Sequence, residues 1–268
     1  MAVSPNTDNY TLGKGVVYFN RKTDAGAFTG ERDLGNAPAF SFNIALEKLE
    51  HFSSRGGLKA KDKEIISQIT PGCSLTLDEV TAENLALLTL AEIEEVSQAG
   101  ASITIEEHVA NLGMRVNLEE RGISAVVVND DNVGTVTYVE GAEGVGNYQI
   151  VTALSDDKIG RIYINKDQTG ASDPMVEGQA IFVDYTSAAV EYTKVKAFAE
   201  TQVEGMLRFV SDNPAGNQQE LEIWRCSLTP SGDTAMIGDD WSTLGFTGEI
   251  LKDETGHPDS PYMNIIMS

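Results

Sequence analysis

Apolar and polar side chains alternate with a period of two over much of the chain. Phe40, Phe42, Ile44 and Leu46 alternate with Ser41, Asn43, Ala45 and Glu47, which marks a strand with one buried face. Ile65, Ser67 and Ile69, set between Glu64, Ile66, Gln68 and Thr70, repeat the pattern less cleanly. Residues 15–19 are a β-branched and aromatic run bounded by Gly13 and Asn20. Between the strands around 40–47 and 64–70, residues 48–63 carry Gly56-Gly57 and read as a long, flexible hairpin connection. Farther on, Glu200, Gln202, Glu204, Met206 and Arg208 alternate with Thr201, Val203, Gly205, Leu207 and Phe209. Glu220 and Glu222 alternate with Leu221 and Ile223, and the turn-rich residues 211–217 join the two runs. This predicts an antiparallel hairpin with one apolar and one acidic face. Further strands are expected at 102–109, 124–128, 135–139, 161–164 and 180–185. One helix is expected after Thr81 as N-cap, with Glu83 in its first turn and Leu85, Leu87 and Leu88 on its apolar side, running to Ala91. No strand–helix–strand rhythm appears, so a doubly wound or α/β-barrel fold is not expected.

Composition adds enough apolar material, 41% of 268 residues, for one large domain or two small ones. Charge changes the picture more. The chain has 41 acidic and 19 basic side chains, a net charge of −22. That excess argues against ordinary nucleic-acid binding and against docking on anionic lipid. No apolar run approaches the ~20 residues of a membrane span. The first residues show no basic segment followed by an apolar one, so no secretory leader is expected. Cys73 and Cys226 are too few for a disulfide scaffold and fit a reducing cytoplasm. The charge is also uneven. Residues 78–107 carry eight acids and no Lys or Arg, whereas 47–64 hold five bases against four acids.

Catalytic chemistry finds little support. His51, His108 and His257 lie far apart with no metal-ligand spacing. Cys73 and Cys226 lack CxxC spacing and read as small buried thiols. Residues 141–146 (GAEGVG) match neither the dinucleotide nor the P-loop spacing, and 129–134 (NDDNVG) lack the closing Glu of a calcium loop and read as a turn. There is no GxSxG elbow, and no carboxylate pair is singled out for glycoside hydrolysis. The expectation is a non-enzyme without cofactor or metal.

Four segments taken together resemble the major tail tube protein of long-tailed, siphovirus-type bacteriophages. They are 13–19 (GKGVVYF), 34–42 (LGNAPAFSF) continuing into 47–63, 81–87 (TAENLAL), and 205–214 (GMLRFVSDNP) with 228–233 (LTPSGD) and 238–241 (GDDW). The resemblance spans roughly 10–95 and 197–252; the middle, about 108–196, is similar to the β-rich insert of some relatives. It implies a mainly β fold, a tail-tube β-sandwich or barrel with one flanking α-helix, plus an inserted small, Ig-like β-sandwich subdomain. The tube domain would be discontinuous, 1–107 with 197–268, and the insert 108–196.

The resemblance further implies a structural virion protein, assembled in the host cytoplasm. Its homo-hexameric rings would stack into a helical tube that conducts genomic DNA and meets tail tip and tail terminator proteins. The tape measure protein and the DNA would pass through the lumen without specific binding, and no membrane is involved. An acidic lumen would repel phosphates. Its candidate lining is Glu200, Gln202, Glu204, Glu220 and Glu222, then Asn43, Glu47, Glu64 and Gln68. Lys48, Arg55, Lys59, Lys61 and Lys63 of the 47–63 connection would reach acids of the adjacent ring, within 78–107. An insert of that size has no room in the channel or between rings, so a non-contractile tail without a sheath is expected. A carbohydrate-binding or adhesive decoration protein is the alternative.

Overall fold

A computed structural model describes residues 7–23, 25–151 and 160–267. In chain order the strands are β1 (Gly15–Lys22), β2 (Phe28–Asp33), β3 (Ala39–Ser53) and β4 (Ala60–Leu77), followed by helix α1 (Ala82–Leu88). Then come β5 (Glu92–Gln98), β6 (Ala101–Ala110), β7 (Arg115–Asn117), β8 (Ile123–Asn129), β9 (Thr137–Tyr138), β10 (Tyr148–Ile150), β11 (Arg161–Ile164), β12 (Gln179–Ser187) and β13 (Val190–Lys196). The last four are β14 (Val203–Ser211), β15 (Gln219–Pro230), β16 (Leu244–Ile250) and β17 (Met263–Met267). The fold is mainly β, with α1 the one α-helix among the described residues.

The chain divides into two compact units, one made of Met1–Glu94 with Lys194–Ser268, the other of Glu95–Thr193. The first junction therefore precedes the expected 107/108 boundary. The reason is β6, which pairs along its length with β12 and so belongs to the second unit.

The first unit is built on an antiparallel sheet in the order β2-β1-β14-β15-β16-β4-β3, and β5 and β13 form a separate two-stranded sheet. β17 pairs with β15 at 219–223, while β16 pairs with the same strand at 226–230. The two therefore lie in line along one edge of β15. One row of alternate residues forms the core: Val17 and Phe19, Leu207, Leu221 and Ile223, Phe246 and Leu244, Leu75 and Leu77. Leu87 of α1 packs on the same side. Thr81 caps that helix as expected, its hydroxyl accepting from the Asn84 N–H at 3.2 Å. The helix stops at Leu88, short of Ala91, with Thr89 as its C-cap. The sheet is strongly curled. Phe40 of β3 and Phe209 of β14 have three strands between them in the order, yet their ring centroids are 5.8 Å apart. The mouth of the curl is a groove of about 720 Å³ lined by Val17, Phe40, Phe42, Phe209, Leu221 and Ile265, among others.

Residues 47–63 are not the flexible connection expected. β3 runs through to Ser53 and β4 starts at Ala60, so only residues 54–59 turn. The hairpin ladder extends from Ala39↔Thr76 to Ser53↔Ala60, with irregularities after Glu47 and after His51. These register shifts break the period of two, and solvent on both sides removes the polar–apolar contrast. Residues 72–77 of β4 also pair with β16, but residues 60–71 do not. The hairpin leaves the sheet at Pro71, which has no N–H to offer a second neighbour. Its outer part is a two-stranded arm, exposed on both faces from Asn43 to Thr70.

The second unit has a four-stranded sheet, β6-β12-β8-β9, and a three-stranded one, β10-β11-β7. Val128, Ile181 and Val183 from the first share one core with Val116, Ile162 and Ile164 from the second, as in a small sandwich. The expected strand at 135–139 is only Thr137–Tyr138.

No residue appears in both cores. Excising 95–193 and joining Glu94 to Lys194 through a short turn is therefore expected to leave a first unit that unfolds cooperatively, with stability changed by no more than ~1 kcal/mol. Lys196 and Glu94 are already an ion pair at 3.2 Å, so the ends are close. Both tryptophans, Trp224 and Trp241, lie in the first unit, so a denaturant titration followed by tryptophan emission reads it directly. A non-cooperative remainder would show that the units fold as one.

Candidate functional site

Alternation and register place many of the candidate polar residues on one face of the first unit's sheet, opposite the core. Glu204 on β14, Glu220 and Glu222 on β15, and Asn43 and Glu47 on β3 all fall on rows that alternate with core-facing residues. Gln68 is directly opposite Glu47. Gln202 precedes β14, because that strand starts at Val203 and not at 200, but its amide reaches Glu204 and Ser227 at 3.0 Å.

Two candidates lie elsewhere. Glu200 ion-pairs with Arg21, which is in register with Gly205 on the core-facing row. Glu64 is opposite Glu50, on the face of the arm that carries Lys48. In both cases an irregularity, the late start of β14 or the bulge after Glu47, shifts the parity that simple counting assumes.

The polar face is not uniformly acidic. Arg208 stands between Glu31 and Glu220, bonding the latter at 3.1 Å, and is in register with Glu222. Arg225 forks onto Glu204 at 3.1 and 3.2 Å. These carboxylates hold both guanidinium groups above their ordinary pKa. Each such pair contributes only ~0–1 kcal/mol, but together they offset part of the negative charge that counting acids alone suggests. Glu31 and Arg225 escaped the sequence reading. Glu31 is brought in by strand pairing between segments 177 positions apart, and Arg225 meets Glu204 only because the β14–β15 register shifts between Gly205 and Leu207.

The arm carries the five expected bases, but the apolar face of β3 that was expected to be buried is not buried beyond Phe40. Phe42, Ile44 and Leu46 form an apolar row on one face, opposite Cys73, Pro71 and Ile69, and they are 42%, 54% and 45% exposed. Leu49, Phe52, Leu58, Ile65 and Ile66 are exposed as well. Lys48 bonds Glu64, and Lys61 bonds both Glu64 and Glu50. Among the described residues, Arg55, Lys59 and Lys63 have no ion-pair partner.

Hydrogen bonds from Lys48 and Lys61 bring the Glu64 pKa down from 4.5 to about 2. A lowered pKa means that the contribution is complete above the unfolded value and is lost as pH falls through the folded one. The arm's ion network is therefore expected to hold above pH 4.5 and to break between there and about 2. A carboxyl NMR titration that finds Glu64 protonating near 4.5 would show that the lysines do not hold it.

The remaining chemistry-bearing residues are scattered. Cys73 and Cys226 are buried, with Sγ atoms 3.6 Å apart over Gly248. The neighbouring sulfur and burial push the Cys226 thiol up. Each histidine has a carboxylate partner: Asp62 for His51, Glu106 for His108 at 2.6 Å, Asp253 for His257 at 3.0 Å. The backbone carbonyls of Gly141, Ala142 and Gly146 accept from the Asn165 amide. In the turn at 129–134, Asp131 accepts from the Val133 and Thr135 N–H groups and from the Thr135 hydroxyl. Among the described residues no group of three or more His, Cys, Asp or Glu is placed to hold a metal ion.

No curated protein matches the chain. A family match does exist, and it runs from residue 10 to residue 266, nearly the whole length. The chain belongs to the family described as "Protein of unknown function UCP028589".

Proposed function

We propose that this chain is a structural virion subunit, forming hexameric rings that stack into the hollow tail tube of a long-tailed phage and conduct its DNA. The observation that carries this reading is the β3–β4 arm. An isolated two-stranded hairpin is marginal in water, and this one leaves its sheet with an apolar row uncovered. Open ladder edges accompany it: the outer edges of β2 and β3, and residues 60–71 of β4. Such edges invite addition of further strands, and closing copies into a ring satisfies them without runaway aggregation. The mixed face of Glu204, Glu220, Glu222, Glu47 and Gln68 lines the lumen in this reading. Its paired arginines soften the repulsion of phosphates without making a basic wall that would hold DNA. The insert is displayed outside the tube, so the tail is non-contractile.

Negative-stain microscopy of the concentrated protein tests the reading. Hollow rings or tubes are expected. Dispersed single subunits at every concentration would overturn it and favour the decoration or adhesive alternative.

A further inference from the structure

Residues 231–243, which join β15 to β16, combine two unusual properties. Met236, Ile237 and Trp241 are 85%, 97% and 93% exposed. The same loop holds three acids, Asp233, Asp239 and Asp240, and no base. Among the described residues, none of these acids has an ion-pair or hydrogen-bond partner; the loop's own side-chain bond is Ser242 to the Ala235 carbonyl, at 3.2 Å. Three large apolar side chains in water cost free energy that nothing within the loop recovers.

The arm tip, residues 53–63, mirrors this composition. It has four bases, Arg55, Lys59, Lys61 and Lys63, against one acid, Asp62. Leu58 at its turn is 86% exposed, and Phe52 beside it 46%. Each surface is thus an apolar centre rimmed by charge, and the two rims have opposite sign, an arrangement suited to a specific interface.

Strand register decides who can meet whom. Leu244 pairs with Leu77, and Phe246 with Pro230, so the loop emerges at the Leu77 end of β4. The tip is at the Ala60 end of the same strand. At ~3.3 Å per residue those ends are roughly 55 Å apart. A tip therefore never reaches its own loop, and any contact between them joins two copies head to tail. Such an interface does not close on itself as a two-fold one does, and it propagates.

We infer that the 231–243 loop is the receptor for the arm tip of a second copy of this chain, with Leu58 and Phe52 packed on Trp241, Met236 and Ile237 inside a ring of Arg/Lys–Asp pairs. The inference rests on the tube reading and names the surface through which one ring meets the next. Asp78, at the same end of β4, extends the acidic rim, whereas the acids between Glu95 and Glu107 belong to the other unit.

Charge reversal of the full chain tests it. A loop variant (D233K/D239K/D240K) and a tip variant (R55E/K59E/K63E) change only exposed side chains, and circular dichroism checks that each stays folded. Sedimentation and negative-stain microscopy then read assembly. Each variant alone is expected to need at least about tenfold more protein to assemble than the unaltered chain. A one-to-one mixture of the two, or a chain carrying both reversals, is expected to recover assembly, because tip and loop again have opposite signs.

A loop variant that assembles like the unaltered chain would overturn the inference and leave the tube reading standing. Absence of rescue in both the mixture and the doubly reversed chain would overturn it as well. Solid filaments without hollow rings, showing the same pattern of loss and rescue, would support the inference while removing the tube. An unaltered chain that stays monomeric at all concentrations would end both.

Discussion

Removal of residues 52–60, leaving His51 joined by a short turn to Lys61, is expected to abolish tubes and leave the folded core unchanged. The argument is one of location. Nothing between Asn43 and Thr70 is buried, and no residue of that stretch belongs to the first unit's core. The deletion therefore removes no apolar packing, and the expected change in unfolding free energy is within the ~0.5 kcal/mol typical of surface changes. What is lost is the turn, the exposed Phe52 and Leu58, and two unpaired bases, Arg55 and Lys59. Because the arm would make a contact repeated at every subunit, a modest loss per contact multiplies around a ring. Sedimentation velocity and microscopy give the readout, with ellipticity as the control. Tubes of normal length from this variant would refute the role of the arm.

Phe246→Ala has the largest expected effect on stability. Phe246 is among the largest fully buried side chains and sits on β16 between Pro230 of β15 and Leu75 of β4, at the centre of the curl. Truncating a phenylalanine in such a place leaves a cavity that the neighbouring strands cannot close, at a cost of about 3–5 kcal/mol. A domain has only about 5–15 kcal/mol in hand, so the first unit would be left marginal. The second unit has its own core and should keep its transition. Tryptophan emission would follow the first event alone, and far-UV ellipticity, to which both units contribute, would show the second as a separate later step. An unchanged tryptophan midpoint would mean that β16 is not packed as described.

How legible was this in the sequence? The strands with one wet and one dry face were read well. β14 and β15 show it, since Leu207 and Leu221 are buried while Arg208 and Glu220 are not. The Thr81 cap was also legible, because it depends only on residues three apart. The arm was not, because its period is broken by two register shifts and its apolar residues point to water. β16 was missed as well. Its alternation, Leu244, Phe246, Gly248 and Ile250, includes a glycine that has no apolar signal. Only the fold explains that glycine: a Cβ there would lie 2.6 Å from both Cys73 and Cys226 sulfurs. For the candidate site, residue types were readable and partners were not. Arg208 between Glu31 and Glu220 joins segments nearly two hundred positions apart, and no local pattern announces it. The curl that brings Phe40 to Phe209 is equally silent in the sequence.

The placement of a basic tip and an acidic loop at opposite ends of β4 also bears on rate. Charges of opposite sign roughly 55 Å apart make the first unit an electric dipole aligned with its strands. Two copies approaching in dilute salt are turned by that field before they touch, so productive encounters become a larger share of collisions. At physiological salt the Debye length is ~8 Å and the torque acts only at the last moment. Salt should therefore slow the lengthening of an assembly far more than it dissolves one already made, whose apolar contacts are indifferent to screening.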